Sequence, residues 1–203
     1  MRITFVRHGE TEWNRIGRIQ GVTDVPLNDT GRKQAARSAE MLMQETWTTI
    51  TSSPLKRARE TAQIIADTLG QELGPALDLL REQDYGEAEG VSTAEFRSRW
   101  PNRDWKGGES AQMVQQRALQ ALQYLEKLDP DGDVLAVCHR GFIRHLVAAL
   151  TGLDRDAVPV TANAALTTLE KEDSGTWRVT VINNQPAHHL LPALGAQAGP
   201  DRK

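Results

Sequence analysis

The sequence contains a single cysteine and no long apolar run. Cys138 is the only cysteine among the 203 residues, which excludes intramolecular disulfides and cysteine-rich zinc sites. A reducing compartment suits such a chain, so we expect a cytoplasmic protein. No apolar stretch reaches the ~18 residues that a membrane-spanning helix needs. Arg7 also interrupts the N-terminal apolar stretch too early for a secretory signal. We therefore expect neither export nor a membrane partner.

The sequence also lacks an excess of basic residues. Lys and Arg together number 24 and Asp and Glu number 27, which gives a net charge of −3. Nucleic-acid-binding domains usually carry a clear basic surplus. The five tryptophans are too scattered to form a stacking platform for bases. No zinc motif, Walker loop or cysteine cluster is present. These absences argue against a nucleic-acid partner and against a metal or nucleotide cofactor.

Strand and helix signals alternate along most of the chain, whose length suits one large domain or two small ones. Apolar or β-branched runs predict strands over residues 2–6, 47–52, 133–138, 164–170 and 176–183. Apolar residues at helical spacing predict helices over residues 28–43, 54–69, 93–100, 110–128 and 141–150. The alternation predicts an α/β fold with a largely parallel sheet. No apolar period continues beyond Pro192, so we predict a flexible tail over residues 192–203.

Charged and ionisable side chains follow three of the predicted strands. The first strand delivers Arg7 and His8, and the third delivers His139. The second leads through Ser52-Ser53-Pro54 to Arg57. In open α/β sheets the ligand crevice lies outside the carboxyl ends of the strands. We therefore expect two histidines and two arginines to converge on one edge of the sheet.

This set of side chains suits a small dianionic group. A phosphomonoester carries about −1.5 to −2 charges near neutral pH, and guanidinium groups match its oxygens in bidentate fashion. A neutral imidazole is a competent nucleophile, and neighbouring arginines would keep it unprotonated. The competing interpretation for Arg7 or Arg57 taken alone is a surface ion pair. The leaving oxygen needs a proton donor, and the spacing leaves six carboxylates open: Glu10, Glu12, Glu82, Asp84, Glu87 and Glu89.

The segment Arg7-His8-Gly9-Glu10-Thr11-Glu12-Trp13-Asn14 resembles the signature of the histidine phosphatase superfamily, the phosphoglycerate-mutase-like proteins. Further matches run in order along nearly the whole chain, from Met1 to about Leu190. They are Gln20-Gly21, Asp24, Pro26-Leu27, Thr30-Gly31, Gln34-Ala35, Ser52 to Leu55, Arg57-Ala58, Thr61-Ala62, Leu80, Glu82, Tyr85-Gly86, Glu89-Gly90, Gly107 to Ser110, Val137 to His139, Gly141 and Ile143-Arg144. A bare Arg-His-Gly triplet would be a weak signal, but this ordered set is a specific one.

The resemblance implies a fold, an activity and a set of roles. The implied fold is a single domain over residues 1–191, a three-layer α/β/α sandwich with a mostly parallel central sheet. The implied activity is hydrolysis of a small phosphorylated metabolite through a phosphohistidine, without metal or organic cofactor. His8 is the implied nucleophile, and Glu82 occupies the acid/base position. The implied phosphoryl-binding residues are Arg7, Arg57 and His139.

Several further positions are implied to contact substrate. Asn14 and the Gln20-Gly21 turn match substrate- or phosphate-contacting positions of the family. Arg140 stands where the family usually has a small residue; it would recruit a second anionic group, or else point outward from the first turn of a helix. The His188-His189 pair resembles a C-terminal His-Leu element, from which we expect His189 to line the pocket, a solvent-facing pair being the alternative.

Two other functions compete with hydrolysis. A phosphoglycerate mutase must shield the phosphohistidine from water, and the resemblance implies extra closing segments in such enzymes; this chain is compact between residues 90 and 108, which favours a phosphatase. An inactive phospholigand-binding or adaptor protein should have lost His8, Arg57, Glu82 or His139, and all four are present. Family members commonly form homodimers, so a homodimer is expected as well. Substrate specificity is expected from residues 86–110 and from the C-terminal histidines, His188 and His189.

Overall fold

A six-stranded sheet forms the centre of the protein. The computed structural model describes residues 1–191; the tail predicted over residues 192–203 lies outside the described residues. The strands are β1 Arg2–Arg7, β2 Thr49–Ser52, β3 Val134–Cys138, β4 Leu166–Lys171, β5 Trp177–Ile182 and β6 Gln185–Pro186. Across the sheet they follow the order β2-β3-β1-β4-β5-β6.

Helices cover both faces of this sheet. Their bounds are α1 Glu12–Arg15, α2 Asp29–Leu42, α3 Lys56–Leu69, α4 Thr93–Arg99, α5 Ala111–Leu128, α6 Arg140–Thr151 and α7 Ala187–Leu190. Helices α2 and α3 pack on one face around Ile50 and Ile65, while α5 and α6 pack on the other face around Phe5 and Phe142. The predicted α/β fold, with helices on both sides of a central sheet, is confirmed. No helix within residues 1–191 is both long enough and apolar enough to span a membrane.

The sheet is parallel at its core, where the predicted site residues follow the strands. β2 pairs with β3, and β3 pairs with β1, both in parallel. The register places Arg7 beside Cys138 and Ser52 beside Val137, so the three strands end nearly level. β4, β5 and β6 extend the sheet in antiparallel fashion. The chain segments that follow β1, β2 and β3 therefore share one edge of the sheet.

The middle strand β3 is buried on both faces, as expected for a parallel strand between two helical layers. Its side chains alternate: Val134, Ala136 and Cys138 join the cluster beneath α5 and α6, whereas Leu135 and Val137 join the cluster beneath α2 and α3. Burial raises the pKa of the Cys138 thiol well above its usual value. This thiol is consequently a packing group at the strand end that precedes His139.

Two of the local differences from the sequence expectation concern helices α3 and α5. Helix α3 begins at Lys56 instead of Pro54, because the Ser53 hydroxyl only accepts a 3.3 Å hydrogen bond from the Leu55 amide and does not start the helix. Met113, one of the apolar residues of the helix predicted over residues 110–128, is 53% exposed, because the buried stripe of that helix starts at Val114. Neither difference moves a residue of the predicted site.

Candidate active site

A cleft opens at the edge of the sheet where β1 and β3 end. Most of its lining comes from residues that follow β1, from the α3 helix, and from the segment before α4. The lining residues are Arg7, His8, Asn14, Arg18, Ile19, Gln20, Gly21, Arg57, Glu82, Tyr85 and Arg140. Of the two histidines and two arginines expected to converge here, His8, Arg7 and Arg57 line the cleft.

The His8 ring is held in one orientation by its own backbone. Its Nδ1 lies 2.7 Å from the Gly9 carbonyl oxygen, and because a carbonyl only accepts, Nδ1 carries the proton. The backbone N–H of His8 donates to the Cys138 carbonyl at 3.0 Å, which ties the residue to β3. Gly9 lies so close to α2 that a Cβ there would be 2.3 Å from the Gly31 oxygen. The Nε2 lone pair is left available on a ring whose tautomer is fixed.

The His8 imidazole is neutral near physiological pH. Burial lowers its pKa well below 6.5, and the positive charges of Arg57 and Arg7 lower it further. The hydrogen bond to Gly9 acts in the opposite direction and is outweighed. A neutral imidazole with a free Nε2 has the electron pair that a nucleophile requires.

His139 supports the His8 ring from within the protein. It is fully buried at the N-cap position of α6, directly after β3. Its Nε2 lies 2.8 Å from the Ser53 hydroxyl, and its ring centroid is 5.1 Å from that of His8, at an interplanar angle of 57°. Burial and then the charge of Arg57 lower its pKa well below 6.5. His139 contacts His8 but contributes no surface to the lining of the cleft.

Two of the four arginines that line the cleft, Arg7 and Arg57, are buried and held by neutral carbonyl groups. Arg57 donates to the carbonyl oxygens of Thr23 at 2.8 Å and Gly21 at 2.6 Å, and Arg7 donates to that of Thr161 at 2.7 Å. Within residues 1–191 neither guanidinium forms a salt bridge. Burial lowers the pKa of Arg7 to about 9 and that of Arg57 to about 10. Two buried cations whose charges no carboxylate neutralises directly can attract an anion.

Glu82 is held at the cleft by the start of α6. Its carboxylate accepts hydrogen bonds from the backbone N–H groups of Gly141 at 3.0 Å and Phe142 at 3.1 Å, and from that of Gln83 at 2.9 Å. A Cβ at position 141 would lie 2.4 Å from the Glu82 Oε1, so only glycine allows this approach. The carboxylate therefore caps α6 and faces the same cleft as His8.

The turn after α1 shapes the other wall. Asn14 forms a capping box with Thr11, and its Oδ1 accepts from the Asn163 amide at 3.1 Å. The Thr11 hydroxyl donates to the Gln20 side chain at 2.9 Å. Gly21 has a φ of +56°, and its carbonyl is one of the two that hold Arg57. This turn therefore holds in place both the Gln20 side-chain amide, which lines the cleft, and the Arg57 guanidinium.

The structure does not bring His189 to the cleft. It is exposed on α7, which packs against β5, beside His188 at a ring-centroid distance of 4.2 Å. Strand β5 is separated from β1 by β4, and this placement puts α7 at the far side of the sheet. Both histidines face solvent, which was the alternative, and His189 does not line the cleft.

Three lining residues were not singled out as site residues: Arg18, Ile19 and Tyr85. Arg18 and Ile19 directly precede the Gln20-Gly21 turn, so extending that motif by two positions would have found them. Tyr85 belongs to the Tyr85-Gly86 match but has no local pattern that marks a cleft wall. Among residues 1–191, no group of three or more His, Cys, Asp and Glu side chains is arranged to hold a metal ion.

Comparison with known proteins identifies the family of this chain. The family model described as histidine phosphatase superfamily (branch 1) matches residues 3–185. The chain belongs to this superfamily.

Relatives of this histidine phosphatase include named phosphatases. The chain is 35% identical over 182 residues to the uncharacterized phosphatase PhoE of Bacillus subtilis (strain 168), covering 89% of this chain and 93% of PhoE. It is 35% identical over 162 residues to a metal-independent phosphoserine phosphatase of Arabidopsis thaliana, covering 73% of this chain and 68% of that protein. A mycobacterial glucosyl-3-phosphoglycerate phosphatase, solved with VO3, superposes with a TM-score of 0.82 at 30% identity, covering 90% of this chain and 98% of that one. The predicted membership of the family, in its phosphatase branch, is confirmed.

Because three histidines of this histidine phosphatase are buried and neutral, we expect its free energy of unfolding to decrease in mild acid. Burial lowers the pKa values of His8, His139 and His145, the last to about 4. Below the unfolded value of about 6.5, the unfolded chain binds protons that the folded chain does not. The stabilisation that the neutral histidines contribute is therefore complete above pH ~6.5 and is lost as pH falls. For each histidine, the free energy of unfolding decreases by up to about 1.4 kcal/mol per pH unit.

Urea unfolding between about pH 7.5 and pH 5 measures this slope, in a range above the titration of ordinary carboxyl groups. The variant His145→Gln is expected to unfold with a shallower pH dependence than the wild-type chain, because one of the titrating groups is gone. A free energy of unfolding that does not change across this range would contradict the neutral state of the buried imidazoles.

Proposed function

We propose that the chain hydrolyses phosphomonoesters of small metabolites through a phosphohistidine formed on His8. The observation that carries the proposal is the pairing of a neutral imidazole, whose Nδ1 is committed to Gly9, with the buried and unneutralised guanidinium groups of Arg7 and Arg57. Phosphoryl transfer requires mainly positioning and charge stabilisation, and this cleft offers both.

In the first step, Nε2 of His8 attacks the phosphorus atom. The N–P bond forms while the P–O bond to the leaving alcohol breaks, and the electron pair of that bond goes to the oxygen. Arg7 and Arg57 donate hydrogen bonds to the non-bridging oxygens, where negative charge is concentrated. The negative charge of the bound phosphate favours uptake of a solvent proton by Glu82, which then gives this proton to the leaving oxygen, so that the alcohol departs neutral.

In the second step, water attacks the phosphohistidine. Glu82, now a carboxylate, takes one proton from the water as the new O–P bond forms and the N–P bond breaks. The electron pair of the N–P bond returns to Nε2, which restores the neutral imidazole. Inorganic phosphate leaves, and Glu82 is again protonated for the next cycle. Buried His139 packs against the His8 ring. That His139 also binds the phosphoryl group, as the family resemblance implies, stays a prediction.

The remaining cleft residues are proposed to bind the substrate outside its phosphate. Asn14, Gln20 and Gly21 form one wall, and Arg140 stands at the start of α6 on another. A cytoplasmic location and a homodimer remain predictions. Size-exclusion chromatography with light scattering on the full chain tests the second of them.

Phosphate release from a panel of phosphomonoesters tests the proposed activity. Aryl phosphates, sugar phosphates, phosphoglycerates and phosphoserine are expected to be hydrolysed to different extents without added metal. The same assay decides between the competing functions. Isomerisation of phosphoglycerate in the presence of a bisphosphate primer, without net phosphate release, would indicate a mutase. Tight binding of phosphate with no turnover of any substrate would indicate an inactive binding protein.

A further inference from the structure

The loop before β4, residues 161–165, packs against the end of β1. The Thr161 carbonyl accepts a hydrogen bond from the Arg7 guanidinium at 2.7 Å. The backbone N–H of Ala164 donates to the carbonyl oxygens of Arg7 at 2.9 Å and His8 at 3.2 Å. This loop therefore contacts two of the residues that carry the proposed chemistry.

Ala164 holds the loop in a conformation that alanine rarely adopts. Its φ is +59°, in the left-handed region, where a residue with a Cβ is strained. Such a conformation persists only where the surrounding contacts determine it, and it is common at functional sites. Besides the bonds of its N–H group, the Ala164 carbonyl accepts from the hydroxyl of Ser38 in α2 at 2.6 Å. The loop is thus held against the end of β1 from two sides.

The side-chain amide of Asn163 connects this loop with two residues of the site. Its Nδ2 lies 3.1 Å from the His8 carbonyl oxygen and 3.1 Å from Oδ1 of Asn14. Because a carbonyl oxygen only accepts, the Asn163 atom beside His8 is the nitrogen. Its two hydrogens match the two acceptors, so the NH2 group of Asn163 is fully used within the protein.

These contacts determine how the Asn14 amide is turned. The Asn14 atom that faces Asn163 must be an acceptor, and the same atom accepts from the Thr11 backbone N–H at 3.2 Å. It is therefore the oxygen, and the NH2 group lies on the other side of the amide. Asn14 lines the cleft, and within residues 1–191 no hydrogen bond engages this NH2 group. The Asn14 amide consequently offers donors, and not an acceptor, to a bound substrate.

Resting on the proposed function, we propose that Asn163 is a positioning residue for both the nucleophile and the substrate. Its amide keeps the NH2 group of Asn14 available to an oxygen atom of the substrate, and it holds the backbone of His8. Asn163 does not line the cleft, so it acts through these two residues.

Replacing Asn163 by alanine tests the two effects separately. Without Asn163 the Asn14 amide can turn its oxygen toward the substrate, so KM for glycerol 3-phosphate is expected to rise about tenfold. Loss of the bond to the His8 carbonyl leaves the nucleophile less well placed, so kcat should fall about 3- to 10-fold. In a chain that already carries Asn14→Ala, Asn163→Ala should change KM by less than about twofold, whereas the loss of kcat should persist.

Inhibition by inorganic phosphate identifies the substrate oxygen that Asn14 binds. If that oxygen belongs to the phosphate, the inhibition constant of inorganic phosphate should rise together with KM in Asn163→Ala. If it belongs to the rest of the substrate, only KM should rise.

Two replacements by aspartate form a matched pair. Asn163→Asp keeps the shape of the side chain but replaces the donor by an acceptor, so it should impair the site at least as much as Asn163→Ala. Asn183→Asp introduces the same group against the same loop, where Oδ1 of Asn183 accepts from the Ala162 backbone N–H at 2.8 Å. A carboxylate also accepts this bond, and aspartate tolerates the φ of +52° at this position. We therefore expect kcat and KM of Asn183→Asp to stay within about twofold of the wild-type values.

Hydrogen exchange in the wild-type chain tests the same contacts without relying on a variant that folds. In protein labelled with ¹⁵N at asparagine, the side-chain NH2 group of Asn163 donates to two acceptors, whereas within residues 1–191 that of Asn183 donates to none. The Asn163 group should therefore exchange with water about tenfold or more slowly than the Asn183 group.

Equal exchange rates would overturn the proposal, because the Asn163 amide would then not be committed to His8 and Asn14. So would a folded Asn163→Ala chain whose KM or kcat is unchanged, or a rise in KM of the same size with and without the Asn14 side chain. Circular dichroism and the urea midpoint check the fold of each variant. If the proposed function itself fails, the wild-type chain will hydrolyse no phosphomonoester, including p-nitrophenyl phosphate, while the exchange rates still report the contacts of Asn163.

Discussion

Replacing His8 by alanine is expected to lower kcat for every phosphomonoester by about 10⁴-fold or more, because covalent catalysis loses its nucleophile. No second imidazole is placed to substitute for it. His139 is fully buried, with its Nε2 engaged by Ser53, and it contributes nothing to the lining of the cleft. The effect should be the same for aryl and alkyl substrates, since both must form the same N–P bond.

The alanine variant should remain folded, and this separates chemistry from structure. The His8 side chain makes one hydrogen bond, to its neighbour Gly9, and carries no charge in the folded state. Far-ultraviolet circular dichroism and the urea midpoint check the fold. His188→Ala, which changes an exposed histidine on α7, is the matched control and should retain full activity. Near-normal turnover of an aryl phosphate by His8→Ala would refute the proposed nucleophile.

Replacing Glu82 by glutamine is expected to lower kcat/KM by about 10²- to 10³-fold for alkyl phosphates and far less for aryl phosphates. An alkoxide is a poor leaving group and needs the proton that Glu82 supplies, whereas a phenolate departs with little assistance. The value of kcat/KM reports events up to the first irreversible step, so it isolates phosphoryl transfer to His8 from the later attack by water. A series of leaving alcohols of graded acidity measures the dependence directly.

The same variant should also be less stable. The Glu82 carboxylate accepts from the backbone N–H groups of Gly141 and Phe142, and a carboxamide offers only one acceptor oxygen to them. Loss of such a cap costs on the order of 1–2 kcal/mol. Glu109→Gln is the matched control, because it weakens a largely buried carboxylate bound to Arg117 outside the cleft. It should reduce stability without changing the leaving-group dependence. Equal losses of kcat/KM on alkyl and aryl substrates in Glu82→Gln would argue against the acid role.

Local patterns predicted the part of the site that depends on strand ends. Short apolar runs marked β1 and β3, and parallel pairing in the register Arg7 to Cys138 makes the residues that follow them, His8 and His139, neighbours. Because the carboxyl ends of parallel strands meet at one edge of a sheet, the sequence alone predicts that these histidines are neighbours. Arg57 was predicted by the same reasoning, although the helix that carries it starts later than expected.

Contacts between irregular segments could not be predicted from local patterns. Spacing left six carboxylates open, and Glu82 is distinguished in the structure by backbone N–H groups almost 60 residues further along the chain. Tyr85 lies in a segment without helical or strand periodicity, so nothing local marked its approach to the cleft. His189 was inferred from a motif alone, and the antiparallel strands before α7 carry it away from the site. The positions of loops depend on contacts between residues far apart in the sequence, and the helix or strand periodicity of a segment does not predict such contacts.

Chemical trapping of the covalent intermediate tests the central claim most directly. In Glu82→Gln, an aryl phosphate should still phosphorylate His8, whereas attack by water is slowed because its base is gone, so the intermediate should accumulate. We predict an initial burst of nitrophenolate from p-nitrophenyl phosphate. After quenching in alkali and digestion, mass spectrometry should find a phosphoryl group on the peptide that contains His8, which acid removes. A burst-free time course with no phosphorylated peptide, or a phosphoryl group on another residue, would contradict the account.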